Sequence, residues 1–170
     1  MKLDARARRV RLAIFDVDGV LTDGTIFIGP AGEAFKAFSI LDGQGLKMLR
    51  EAGIATAILS GRAHKAVDHR AKELSIDYVI QGKSEKLPEF DKLLKRVKLE
   101  AKDCAYMGDD LPDLPVMRRC GFSVAPANAV KAVKDEAHHV TRARGGKGAV
   151  REMCELILRH RRQLKRAGEV

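Results

Sequence analysis

Phe15-Asp16-Val17-Asp18-Gly19-Val20-Leu21-Thr22 follows directly on the apolar run Leu12-Ala13-Ile14. An apolar run that stops at two aspartates and a glycine reads as a buried strand ending at a functional edge. Alternation along an extended chain points residues i and i+2 to one side, so Asp16 and Asp18 are expected together at the strand's carboxyl end. Open α/β sheets bind their ligands there. Two neighbouring carboxylates repel unless a cation or a shared proton relieves them. A divalent metal is the simplest relief, and hard oxygen ligands suit magnesium. The plainer alternative is that the aspartates only form a turn or cap a helix.

The 170 residues fit one domain, expected to span 1–170. With 45% apolar and 32% charged residues, the composition is that of an ordinary folded, water-soluble chain. No apolar run approaches the roughly 20 residues of a membrane-spanning helix. The start, Met1-Lys2-Leu3-Asp4-Ala5-Arg6, is charged and no secretory segment follows it, so the cytoplasm is the expected compartment. Cys104, Cys120 and Cys154 are odd in number, scattered and never paired as Cys-x-x-Cys, which argues against a disulfide framework or zinc site. They are expected to be small buried apolar side chains.

The net charge is +9, much of it in Arg6, Arg8, Arg9 and Arg11 and in Arg159-His160-Arg161-Arg162-Gln163-Leu164-Lys165-Arg166. Such ends can bind nucleic acid, line a solvated helix, or draw small anions toward a cleft. With no Trp and two Tyr, bases would have little to stack on, which disfavours nucleic acid.

Beyond the first strand, Thr25 to Ile28 and Ala34 to Ile40 look extended and flank Gly29-Pro30-Ala31-Gly32, a turn signal that predicts a hairpin. Leu46, Leu49 and Ala52 mark a helix closed by Gly53. Ile54–Leu59 is the next strand, ending at Ser60-Gly61-Arg62, and a helix from about Ala63 to Leu74 leads to the strand Tyr78–Ile80. Lys86 to Val97 carries a helical apolar stripe, and Cys104–Met107 is a strand ending at Gly108-Asp109-Asp110. Asp110 is placed to cap a helix through Arg119, with Pro112 tolerated in its first turn. Phe122–Val124 and His139-Val140 read as short strands, and Ala149 to Leu164 as a final amphipathic helix. This alternation predicts a Rossmann-like parallel α/β sheet with helices on both faces.

Polar residues thus close several strands: Asp16 and Asp18, then Ser60, then Asp109, Asp110 and Asp113, with Lys86 following a fourth. In this order they resemble the four motifs of the haloacid dehalogenase superfamily of phosphotransferases, along nearly the whole chain. The chemistry suits those residue types. A carboxylate can attack phosphorus and split a very slow hydrolysis into two steps through an aspartyl-phosphate. A cation must hold nucleophile and phosphate together, with donors around the phosphoryl oxygens. The resemblance gives Asp16 as nucleophile, Asp18 as general acid and base, Asp16, Asp18 and Asp109 as magnesium ligands, and Ser60 and Lys86 as donors to the phosphoryl group. Taken singly, each residue has another reading. Asp110 and Asp113 are candidates for outer metal ligands; yet Asp113 can be a first-turn carboxylate and Asp110 a cap, Ser60 can be a helix cap, and Lys83 competes with Lys86.

The superfamily's usual cap domain has no room here, since only short elements separate Thr22 from Ser60 and Ser60 from Lys86. Within the capless branch the chain resembles the 3-deoxy-D-manno-octulosonate 8-phosphate phosphatases, through Asp16 to Gly24, Leu41-Asp42-Gly43, Ser60-Gly61-Arg62 and Gly145-Gly146-Lys147-Gly148-Ala149-Val150-Arg151-Glu152. The resemblance implies a homotetramer in which a neighbouring subunit covers the site, and an anionic sugar phosphate of lipopolysaccharide synthesis as substrate. The implied substrate contacts are Asp18, Ser39, Ile40, Leu41, Asp42, Gly43, Lys47, Arg62, Arg70 and Lys86. Lys47 stands where the resemblance leads one to expect arginine; lysine keeps the charge but loses the planar fork that pairs with a carboxylate. A nine-carbon sialic-acid-type sugar 9-phosphate would share the same acid head, and a basic nucleic-acid-binding protein is the reading from another class.

Overall fold

The computed structural model of the chain describes residues 3–167, with the side chains of the last helix described as far as His160. Met1 and Lys2 of the charged start, the basic side chains from Arg161 onward and residues 168–170 lie outside that description. The elements run α1 (Leu3–Arg9), β1 (Leu12–Phe15), the hairpin β2 (Phe27–Gly29) and β3 (Gly32–Phe35), α2 (Ile40–Glu51), β4 (Ala55–Leu59), α3 (Lys65–Leu74) and β5 (Tyr78–Ile80). They continue with α4 (Lys86–Val97), β6 (Cys104–Met107), α5 (Leu114–Arg119), β7 (Phe122–Ala125), α6 (Lys131–Glu136), β8 (His139–Val140) and α7 (Ala149–Ala167).

The main sheet has the order β5-β4-β1-β6-β7-β8, and every pairing is parallel. Parallel strands are covered on both faces, which is why β1, β6 and β7 are buried along their whole length. The two-residue period sorts their side chains. Ala13 and Phe15 enter one core with Leu46 and Leu49 of α2, Val67 of α3 and Met153 and Ile157 of α7. Leu12 and Ile14 enter the other with Phe90 and Leu93 of α4 and Val116 and Met117 of α5. Only the hairpin and α2 separate β1 from β4, and only α3 and β5 separate β4 from α4, so the fold is capless. All three cysteines are free and buried, as expected.

The structure departs from the sequence reading in three places. The stretch Ala34 to Ile40 is not extended throughout: β3 ends at Phe35, and α2 starts at Ile40, well before the apolar stripe at Leu46. Ser39 caps that helix by accepting from the amides of Leu41 and Asp42 at 3.2 and 3.4 Å. Gly43 and Gly45 had weakened its helical pattern. The short helices α1 and α6 lack an apolar period long enough to read, each burying one residue, Ala7 and Val133.

Candidate active site

From β1 the chain winds outward through β4 to β5, then crosses back to β6 on the other side of β1 and winds outward again. The crevice at the carboxyl ends of β1 and β6 is therefore the point where the winding reverses, the place an open sheet offers a ligand. Asp16 directly follows β1, and its amide donates to Met107 O at 3.0 Å, extending the ladder by one bond. Asp109 stands two residues beyond β6. The residues after Asp16 form one wide turn, Val17–Leu21, closed by the Thr22 amide donating to Val17 O at 3.0 Å. Gly19 has φ +84°, and a Cβ there would lie 1.9 Å from Asp109 Oδ2, so only glycine lets the turn meet that carboxylate.

Asp16, Asp109 and Asp113 each bring a carboxylate oxygen within 4.8 Å of the others. Lys86 Nζ lies among them, 2.9 Å from Asp16 Oδ2 and 2.7 Å from Asp113 Oδ1, on a side chain that is 3% exposed. Lys83 is exposed, so geometry resolves that competition for Lys86. Burial, with the Asp113 carboxylate adding to it, raises the Asp16 pKa to about 6 against the pull of Lys86. Asp109 is pushed up to about 7 by burial and by the charges of Asp16, Asp113 and Asp110. Burial works against the Lys86 ammonium, but Asp16 and Asp113 outweigh it and raise its pKa.

Asp113 has little left to offer a metal. Its Oδ1 accepts from Lys86 and from the Tyr106 hydroxyl at 2.6 Å, and its Oδ2 accepts from the amides of Asp109 and Asp110 at 3.0 and 3.2 Å. Asp110 caps the turn that leads into α5, accepting from the Leu111 amide at 2.8 Å. Asp16 and Asp109 remain, two carboxylates that repel without a cation, and this all-oxygen pair fits a hard divalent ion.

The carboxylate of Asp18 is outside that cluster. Its Oδ1 accepts from Lys36 Nζ at 2.5 Å, and its Oδ2 lies 3.6 Å from Arg62 Nε. Glu33 ties both cations, with one oxygen 2.7 Å from Lys36 and the other 2.7 Å from Arg62. Asp16, Asp18, Ser60, Arg62, Lys86 and Asp109 together line an open cavity of about 430 Å³. The Ser60 amide is held by Ile80 O at 2.9 Å, and its hydroxyl makes no hydrogen bond to a described residue. Strand ends and helix starts have thus gathered two carboxylates, an ammonium and a hydroxyl around a space large enough for a phosphate ester.

The chain is similar to known proteins along most of its length. Residues 79–153 match the model of haloacid dehalogenase-like hydrolases. The 3-deoxy-D-manno-octulosonate 8-phosphate phosphatase KdsC of Yersinia pestis is 47% identical over 153 residues, 90% of this chain and 82% of that protein. The chain belongs to the haloacid dehalogenase-like phosphatases of the 3-deoxy-D-manno-octulosonate 8-phosphate phosphatase family. The Escherichia coli K12 KdsC is 46% identical over 154 residues, 91% of this chain and 82% of its own. The crystal structure of the Moraxella catarrhalis phosphatase of that name, in complex with magnesium ion, phosphate ion and KDO, superposes with a TM-score of 0.92 at 42% identity, covering 96% of this chain and 94% of that one.

Several residues expected to touch substrate lie elsewhere in this phosphatase. Ser39, Ile40 and Leu41 line a second open depression, of about 610 Å³, with Asp23 and Lys147. Asp42 is buried and accepts from the amides of Arg151 and Gly148 at 2.9 and 3.3 Å, fastening the start of α7. Arg70 donates to Ser39 O at 3.0 Å and to Glu73 at 2.8 Å, and Gly43 is packed beneath it. Lys47 is exposed on α2. Within one chain only Asp18, Arg62 and Lys86 of the expected substrate set face the catalytic cavity. The sequence reading missed Glu33, Lys36 and Tyr106. A Glu and a Lys among Phe27, Ile28 and Phe35 were the available signal for the first two, because charges on so apolar a hairpin need partners.

Proposed function

We propose that this phosphatase hydrolyses 3-deoxy-D-manno-octulosonate 8-phosphate to the free sugar acid and phosphate, through an aspartyl-phosphate on Asp16. The observation that carries the substrate is the similarity, over nine-tenths of the chain, to phosphatases named for it. The cluster of Asp16, Lys86 and Asp109 supports the chemistry.

An Asp16 oxygen attacks phosphorus, and the bond to the sugar oxygen breaks with a proton supplied by Asp18. Asp18 then takes a proton from water as the water attacks the aspartyl-phosphate, releasing phosphate and restoring Asp16. Lys86 favours the ionised nucleophile and, with the Ser60 hydroxyl, faces the transferring oxygens. Asp113 and the Tyr106 hydroxyl keep Lys86 aimed at Asp16. Asp16 and Asp109 would hold magnesium, which neutralises the carboxylate pair and the phosphate charge when bound. The Asp18 side chain stands apart from that pair, with Oδ1 on Lys36 and Oδ2 3.6 Å from Arg62 Nε.

Assembly as a homotetramer belongs to the same proposal. Ile26, Phe27, Ile28 and Phe35 on the hairpin are exposed, Ile28 at 72%, which is an apolar surface suited to copies of itself. A neighbouring subunit would bring the residues now remote from the cavity toward a bound sugar acid. Arg62 and Arg70 suit its carboxylate. Among the described residues no helix is long and apolar enough to cross a membrane, and the cytoplasm is the compartment this reading assigns.

The deciding experiment compares kcat/KM on the eight-carbon 8-phosphate and on a nine-carbon sialic-acid-type 9-phosphate, with magnesium. Preference for the nine-carbon ester overturns the substrate assignment. Magnesium-dependent turnover retained by Asp16→Asn would remove the nucleophile. Sedimentation as a monomer at working concentration would refute closure by a neighbouring subunit.

A further inference from the structure

The hairpin is built inside out. Its large apolar residues Phe27, Ile28 and Phe35 are exposed, while the Lys36 side chain, just after β3, is 3% exposed. Burying a lysine immobilises a long side chain and strips water from its charge, so a partly buried ion-pair group is weak evidence for stability. Placement is the better account. The Lys36 ammonium bridges Glu33 on its own hairpin and Asp18 on the loop after β1, two segments that are not hydrogen-bonded strands of one sheet. The hairpin is therefore joined to the site through a carboxylate that the reaction uses.

We infer that Lys36 is a positioning residue for proton transfer by Asp18, held in place by Glu33. This rests on the proposed role of Asp18 as general acid. Lys36 occupies Oδ1 at 2.5 Å, whereas Oδ2 has only Arg62 Nε, 3.6 Å away. The carboxyl rotation is thereby fixed and Oδ2 is left to carry the proton. When the phosphorus–oxygen bond breaks, its electron pair stays on the sugar oxygen and the Oδ2 proton moves there; Asp18 is left ionised, with Lys36 still on Oδ1. Glu33 supports this from behind, accepting from Lys36 on one oxygen and from Arg62 on the other, so both cations around Asp18 share one anchor.

The test exploits the leaving group. A sugar alkoxide needs a proton to depart, whereas p-nitrophenolate leaves as a stable anion. Wild type, Lys36→Met and Lys36→Gln are compared by kcat/KM, which covers the steps up to departure of the leaving group, on the sugar phosphate and on p-nitrophenyl phosphate, with Asp18→Asn as reference. In both Lys36 variants the ratio of sugar to aryl kcat/KM is expected to fall about tenfold, and further in Asp18→Asn, where the general acid itself is lost. A role limited to holding the hairpin down would lower both rates together and leave the ratio unchanged, which overturns the inference. If Asp18→Asn lowers the ratio and the Lys36 variants do not, only the role of Lys36 falls; if Asp18→Asn leaves it unchanged, the acid assignment falls and takes this inference with it. Should neither Lys36 variant fold, Glu33→Gln frees the lysine from its anchor. Its ratio is expected to fall about threefold, and no change would be equally fatal.

Discussion

Asp109→Asn should stabilise the metal-free protein while abolishing its response to magnesium. In the absence of a cation Asp109 lies beside Asp16 and Asp113, and burial first and those charges second raise its pKa from 3.8 to about 7. A carboxyl that binds its proton more tightly when folded costs no stability below 3.8, and its penalty is fully present above about 7. A rise of this size corresponds to at most about 4 kcal/mol at pH 8. Water in the open cavity screens part of it, so about 2 kcal/mol is the expected gain on replacing the carboxylate by its amide. For a chain of this length that is about 4–8 °C in Tm. Magnesium works the other way: at about 100 times its Kd it stabilises wild type by about 2.7 kcal/mol. The assay is thermal unfolding of both proteins at pH 5 and pH 8, in chelator and in millimolar magnesium. Metal-free wild type should melt lower at pH 8 than at pH 5, the variant should depend less on pH, and only wild type should gain from magnesium. If Asp109→Asn in chelator at pH 8 melts below wild type, the partly buried charge of Asp109 beside Asp16 and Asp113 is not a cost of this fold.

Further substitutions and reagents test how the site is held. Asn128 donates to Gly19 O at 2.9 Å and accepts from the Gly145 amide at 2.6 Å, so Asn128→Ala strips partners from two main-chain groups; a loss of about 1–3 kcal/mol is expected in urea unfolding, together with a fall in kcat. Asp42→Ala orphans the amides of Gly148 and Arg151, and a similar loss of stability is expected with kcat on p-nitrophenyl phosphate less affected than in Asn128→Ala, because Asp42 lies away from the cavity. Burial raises the thiols of Cys104 and Cys120 to about 12 and that of Cys154 higher still, so a disulfide reagent at pH 8 should label the native protein negligibly and all three thiols once it is unfolded.

How much of the molecule was legible in its sequence depends on whether the determining contact is local. The strand Leu12–Phe15 and its two aspartates could be read because a buried parallel strand is a continuous apolar run, and the residues just after such a strand lie at the sheet edge. The capping role of Asp110 was readable for the same reason, since its partner is the next amide. The start of α2 was not, because Gly43 gives way to Arg70, and Arg70 arrives from α3; a Cβ on Gly43 would lie 2.3 Å from its Nη2. The pairing of Asp18 with Lys36 spans 18 residues and a hairpin, and that of Lys86 with Asp113 spans 27. No periodicity records such contacts. Family resemblance supplied Lys86, but neither spacing nor resemblance supplied Lys36, Glu33 or Tyr106.

The geometry also separates what one chain can do from what it cannot. Asp16, Asp109 and Lys86 are set by β1, β6 and the start of α4, elements whose packing into the two cores does not involve the hairpin. In the proposed mechanism, phosphoryl transfer at Asp16 therefore depends on the sheet. Asp18 is the exception, because its carboxylate is oriented from the hairpin side, by a lysine on a segment whose outer surface is apolar and exposed. Anything that orders the hairpin, including burial of Phe27, Ile28 and Phe35 against other copies of the chain, must then bear on proton transfer more than on attack at phosphorus. Dilution to dissociated subunits should accordingly lower turnover of the sugar phosphate more than that of p-nitrophenyl phosphate. Equal loss on the two substrates would mean that assembly acts on the cavity as a whole, and not through Lys36 and Asp18.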